Sequence, residues 1–175
     1  MKFWITGGAG FIGSALAKEL NNNSINEILI IDDLSNGEKF TNLKKISFYE
    51  FLDIEDFLNR LNSNFLNKPE CIFHQGAITD TTERNGKLMF KYNYTFSIIL
   101  LNWAIKNKVP FIYASSAAIY GLNKICIENA SYENPINVYG YSKLAFDNYV
   151  RRNFRKSHSQ IVGLRYFNVY GYGEQ

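Results

Sequence analysis

Tyr139 and Lys143 stand four positions apart in the stretch NVYGYSK, residues 137–143, and a phenol beside an ammonium can move protons. A tyrosine acts as acid or base near neutral pH only when its proton is held well below the ordinary pKa of about 10. A neighbouring cation does that by favouring the phenolate. Residues four apart share a helix face and residues two apart do not, so Tyr139, not Tyr141, pairs with Lys143. Tyr141 reads as a packing residue. Y-x-x-x-K alone is cheap in a chain with 12 tyrosines, most of which pack a ring and wet a hydroxyl. Its weight comes from ASSAAIYG, residues 114–121, which puts Ser115 and Ser116 just past an apolar run. A serine at the carboxyl edge of a sheet can hold the oxygen whose proton Tyr139 moves.

A second constellation opens the chain. TGGAGFIG, residues 6–13, follows KFWIT and carries Gly7, Gly8, Gly10 and Gly13. Missing side chains allow a tight turn and close approach of the backbone to a pyrophosphate, whose charge meets a helix N-terminus. Glycine turns also simply join strands to helices. Here the context fits a dinucleotide, with a strand before, a helix after, and Asp32 and Asp33 about 20 positions on. A carboxylate at Asp32 suits a free ribose 2′-hydroxyl and hence NAD, whereas Lys39 suits a 2′-phosphate and hence NADP. The residues alone leave that choice open.

Both constellations need a scaffold. Nearly continuous apolar runs at 2–6, 27–32, 46–52, 70–74, 110–116 and 160–167 read as strands buried on both faces. Helical patterns occupy 11–22, 37–44, 54–63, 82–107 and 136–156, with Pro135 helping to start the last. This alternation predicts an α/β fold, a doubly wound parallel sheet of Rossmann type, in one domain over 1–175. NNNS at 21–24 reads as a helix-ending turn. The 82–107 segment is apolar nearly all round, which predicts burial on more than one side, either under another layer of this domain or against a second subunit, the latter making a homo-oligomer.

The 175 residues are 46% hydrophobic and 20% charged with a net charge of +3, enough for a core without metal or disulfides. That charge is too slight for nucleic acid, and RRNFRK at 151–156 reads as the solvated end of a helix. Cys71 and Cys126 follow no metal spacing and fit a reducing cytoplasm. The longest apolar stretch, 96–105, is broken by Asn102 and too short to span a membrane, and no signal peptide is expected before the glycine turn. His74 reads as a core histidine, His158 as a surface one, and Phe167 and Tyr170 as wall and core.

The glycines at 7, 10 and 13, Ser116, and Tyr139 with Lys143 resemble the extended short-chain dehydrogenase/reductase family, which works on nucleotide sugars. FHQGAITDTTERNGK (73–87), YASSAAIYG (113–121), NVYGYSK and GLRYFNVYG (163–171) closely resemble its ADP-L-glycero-D-manno-heptose 6-epimerases. DDLSNGEKF (32–40) and the TTE-NGK segment are the more specific parts. The resemblance implies an isomerase of cytoplasmic lipopolysaccharide-core biosynthesis that inverts C6 of ADP-heptose through a transient ketone. NADP is its cofactor, with NAD possible, and that preference favours Lys39 over the acidic pair. It implies Tyr139 as acid/base, Lys143 as its tuner and ribose ligand, and Ser116 as the holder of the reacting oxygen. Phe11 and Ile12 would border the pyrophosphate, Asp32, Asp33 and Lys39 the adenosine ribose, and Ile54 the adenine. Gln75, Gly76, Ala77, Asn93 and Val169 would line the cofactor, and Asn168 would meet the substrate. No metal is implied.

Departures from the family pattern matter. Ile54 stands where the family has lysine, and Tyr172 where it usually has proline. The family continues beyond the equivalent of Gln175 with a region about as long again, which forms most of the substrate pocket and supplies a second acid/base lysine. These 175 residues alone are therefore expected not to complete a two-base epimerisation. The alternative reading is a non-catalytic dinucleotide-binding fragment or remnant. A 4,6-dehydratase would want acidic residues after Ser116, where Ala117 and Ala118 stand.

Overall fold

The computed structural model describes residues 2–154, 158–171 and 173–174. Strands β1 (Phe3–Thr6), β2 (Ile28–Ile31), β3 (Glu50–Leu52), β4 (Cys71–His74), β5 (Phe111–Ser116) and β6 (Ile161–Tyr166) form one sheet. Its order is β3-β2-β1-β4-β5-β6, the doubly wound arrangement, as the alternation of runs predicts. β1 pairs in parallel with β2, Phe3 opposite Ile28, and with β4, Phe3 opposite Cys71. The helices are α1 (Phe11–Asn22), α2 (Phe40–Leu43), α3 (Ile54–Asn62), α4 (Gly86–Phe90), α5 (Phe96–Asn107) and α6 (Val138–Asn153).

The residues group into two compact units, one of 1–76, 109–112 and 170–175, the other of 77–108 and 113–169. In the first, β1 sends alternate side chains to opposite faces. Ile5 packs with Ala17, Ile28 and Ile30 beneath α1, while Trp4 meets Phe57 of α3 edge to face at 5.4 Å. Ile46 and Phe48 join the α1 side of that core, yet β3 begins only at Glu50, so the apolar run at 46–49 packs as loop. The turn at 21–24 ends α1 with Ser24 left-handed, its N–H on Asn21 O at 2.8 Å and that of Ile25 on Leu20 O at 2.9 Å. His74 is buried, as expected, with Nδ1 2.6 Å from Thr6 Oγ1.

In the second unit the expected helix over 82–107 starts at Gly86, where Asn85 caps it by accepting from Leu88 N at 3.0 Å. A π turn over Lys91–Thr95 separates α4 from α5. The expected helix over 136–156 begins at Val138, because Asn137 takes the cap by accepting from Gly140 N at 2.8 Å. Pro135 lies before the cap, and 155–156 fall outside the described residues. Phe167 and Tyr170, expected to be wall and core, are 60% and 86% exposed. Tyr141 is also exposed, its ring tilted 5.8 Å from that of Phe90. No helix among the described residues is long and apolar enough to cross a membrane.

Candidate active site

The glycine turn is built by backbone crowding. Gly7 sits at φ +68° after β1, where a Cβ would come within 2.6 Å of Gly76 after β4. A Cβ on Gly13, in the first turn of α1, would lie 2.1 Å from Gly7 O. The turn and α1 therefore meet backbone on backbone. Gly10 caps α1 without a side chain, which leaves the N–H groups of Phe11, Ile12 and Gly13 to meet an anion.

Asp32, expected at the ribose, is turned inward. It is 5% exposed, and Oδ2 accepts from Ala9 N at 2.8 Å, tying the end of β2 to the turn. Its Oδ1 accepts from Asp33 N at 2.7 Å and from Lys39 Nζ at 2.9 Å. Lys39 also donates to Asp33 O at 2.8 Å, so the three expected ribose residues do come together. Asn42, which the sequence did not single out, braces the turn from α2 by donating to Ala9 O at 2.9 Å. Hydrogen bonds from Ser35 hold the Asp33 carboxyl below its usual range. Ile54 is half-buried at the start of α3. Gln75, just past β4, carries a buried Oε1 without a hydrogen-bond partner. A glycine cradle that any Cβ would fill, an uncapped helix end and an orphaned amide oxygen suit a dinucleotide.

The residues expected to act as acid and base lie in the second unit. Tyr139 and Lys143 occupy successive turns of α6, as the spacing predicts. Lys143 is 4% exposed and donates to Ala114 O of β5 at 2.9 Å. Burial pulls its ammonium down to about 8, against the pull of Asp147 in the other direction. Ser116 ends β5, and its Oγ accepts from Ala118 N at 3.1 Å. Gly140 joins the two elements, since a Cβ there would lie 2.6 Å from Ala118 O. One residue after Tyr139 thus abuts a residue two after Ser116. Ser115, one position earlier, gives its hydroxyl to Asp147 at 2.9 Å and so separates from Ser116 in role.

Asn93, expected to line the cofactor, is 1% exposed with its amide already engaged. It accepts from Ile78 N at 2.8 Å and donates to Ile78 O at 2.9 Å and Ser142 Oγ at 3.1 Å. The π turn delivers Asn93 there, so it braces the backbone just beyond Ala77 and, through Ser142, the Tyr139 carbonyl at 2.7 Å. Ala77 is half-buried, and Asn168 and Val169 are exposed on the chain after β6. Tyr172 lies outside the described residues.

Residues 3–175 match the NAD dependent epimerase/dehydratase family, and the chain belongs to it. Among solved structures it is similar to the ADP-L-glycero-D-manno-heptose-6-epimerase of Helicobacter pylori at 37% identity, over 98% of this chain and 56% of that one, with a TM-score of 0.82. It is similar to a UDP-glucose 4-epimerase of Thermotoga maritima, solved with UDP-glucose, at 34% identity, 99% and 59% coverage, and a TM-score of 0.81. A UDP-glucose 4-epimerase of Thermus thermophilus in complex with NAD gives 28% identity, 100% and 58% coverage, and a TM-score of 0.83. The chain thus spans 56% to 59% of the length of these three proteins.

Proposed function

We propose that the chain is the cofactor-binding and acid/base portion of a nucleotide-sugar epimerase that interconverts ADP-D-glycero- and ADP-L-glycero-D-manno-heptose at C6. The observation that carries this reading is the close approach of Gly140 to Ala118, which sets Tyr139 and Ser116 on adjoining backbone. The heptose form is supported by the 37% identity to the Helicobacter pylori enzyme together with the DDLSNGEKF and TTERNGK segments.

The cofactor's nicotinamide, when bound, supplies a reversible acceptor for hydride. Ser116 holds the reacting oxygen, Tyr139 takes its proton and later returns it, and the Lys143 ammonium favours the intervening phenolate. The α1 N-terminus and glycine turn receive the pyrophosphate. NADP is the favoured cofactor and NAD the lesser one, because Asp32 is consumed by Ala9 and Lys39 while the Lys39 side chain stays 33% exposed. A homo-oligomer is supported by Ile99, 37% exposed on α5, and a reducing cytoplasm by two free cysteines.

Fluorescence titration with NADPH and NADH, followed by incubation with either ADP-heptose epimer, tests the reading. Saturable binding is expected of these 175 residues. Interconversion is expected of the same residues within a full-length family chain, where Tyr139→Phe loses at least about 100-fold in rate while keeping nucleotide affinity. No saturation by either nucleotide refutes the reading. Saturation without interconversion in that full-length chain selects a second one, a dinucleotide-binding element alone.

A further inference from the structure

A buried polar cluster one turn beyond Lys143 is not used by that reaction. Asp147 of α6 is 5% exposed. Its Oδ1 accepts from the Tyr113 hydroxyl at 2.9 Å, and its Oδ2 accepts from Ser115 Oγ at 2.9 Å and Arg165 Nη2 at 3.3 Å. Arg165, on β6, also donates to the Tyr120 hydroxyl at 2.9 Å and pairs with Glu133. Glu133 takes the Arg151 guanidinium as well, with Nη1 at 2.8 Å. The charged and titratable groups around Asp147 are therefore Lys143 and Arg151 on its own helix, Arg165 and Glu133 opposite, and the Tyr113 phenol.

A buried carboxylate is costly unless its lone pairs are filled, and here two neutral hydroxyls fill them alongside one guanidinium. Those hydroxyls belong to residues 113 and 115 of β5, and the carbonyl between them, Ala114 O, accepts from Lys143 at 2.9 Å. Three consecutive residues of β5 are thus gripped by two successive turns of α6, and the fourth is Ser116. The geometry points to Asp147 as a positioning residue of the acid/base site: its carboxylate fixes α6 in register on β5 and acts as the counter-charge of the buried Lys143 ammonium. The inference rests on the acid/base reading of Tyr139 and Lys143, but its test needs neither nucleotide nor turnover.

Burial and Asp147 pull on Lys143 in opposite directions, and burial is the larger. Without the carboxylate burial acts unopposed, and the amine loses its proton at a lower pH than in the parent. A neutral amine no longer favours a phenolate. The Tyr113 phenol is itself pushed up, first by burial and then by Asp147, so it remains a donor throughout.

Lysine labelled with carbon-13 and nitrogen-15 reports the titration by NMR in the nucleotide-free chain, with the Lys143 signal assigned by its loss in Lys143→Met. The parent midpoint is expected at about 8. Asp147→Asn should lower it, Asp147→Glu should restore it, and Tyr113→Phe, which removes a hydrogen bond but no charge, should leave it in place. An unchanged midpoint in Asp147→Asn overturns the inference. Should Asp147→Asn fail to fold, the double variant Lys143→Met/Asp147→Asn must recover folding, because it removes the ammonium that lost its counter-charge. A double variant that also fails makes the carboxylate a partner of Tyr113, Ser115 and Arg165 only, and overturns its role as the counter-charge of Lys143. Failure to bind nucleotide, with the midpoint shift present, counts against the proposed reaction and not against this pairing.

Discussion

Replacing Gly13 by alanine tests the backbone-on-backbone cradle most directly. The added Cβ would lie 2.1 Å from Gly7 O, 2.7 Å from Gly7 C and 2.8 Å from Gly8 Cα, where ordinary contact begins near 3.4 Å. All three are main-chain atoms, so no side chain can swing aside and the turn itself must move by more than an ångström. Gly7 cannot retreat freely, since a Cβ at its own position would already strike Gly76 at 2.6 Å. Overpacking of this kind costs about 3 kcal/mol. For a chain of this size that is a fall in Tm of about 6–12 °C. The displaced turn should also weaken nucleotide binding at least about tenfold, because the helix N-terminus and the turn are what face the pyrophosphate. Gly37→Ala is the matched control. Nothing lies within 4 Å of its Cβ, and the change should be neutral or stabilise by about 0.5 kcal/mol through the unfolded chain. The assay is a pair of thermal melts with NADPH and NADH titrations. Equal behaviour of the two variants would refute the close approach.

Other outcomes concern the two cations. Lys143 has a folded pKa of about 8 against an ordinary 10.5, so the folded chain prefers the neutral amine. Its cost is then fully present below about pH 8 and is relieved as pH rises towards 10.5, a gain of about 3 kcal/mol in all. Urea unfolding of parent and Lys143→Met across that window should show the parent gaining relative to the variant, and parallel curves would contradict the burial. Lys39→Ala should weaken NADPH at least about tenfold and NADH much less, and an equal loss for both would remove the phosphate role.

The doubly wound parallel sheet was legible because apolar runs separated by helical patterns leave few topologies. The glycine turn and the Tyr139–Lys143 turn were legible because each is a local spacing. Asp32 shows where local reading stops. Its position after β2 matched a ribose ligand, but whether its oxygens face outward depends on Ala9, 23 positions earlier in the chain. The bracing role of Asn93 was illegible for the same reason: its partners Ile78 and Ser142 are brought to it by tertiary packing and by a π turn that no apolar period announces. Ile46 and Phe48 have strand-like composition because they fill the core under α1, which asks for apolar side chains without asking for a ladder. Asp147 lay outside every motif, and Arg165, 18 positions on, stood inside GLRYFNVYG without a role of its own.

The π turn at Lys91–Thr95 also sets a limit on how this segment can be altered. Each residue advances a helix by about 100°, so a single extra residue throws the stretch before it out of phase with the stretch after it. The π turn absorbs one such residue, and Met89 before it and Phe96, Leu100, Leu101 and Ala104 after it are all buried. Deleting one residue from 91–95 would close the π turn into a regular helix with both ends in phase, but would withdraw Asn93 from Ile78 and Ser142. Length in this segment is therefore as constrained as composition.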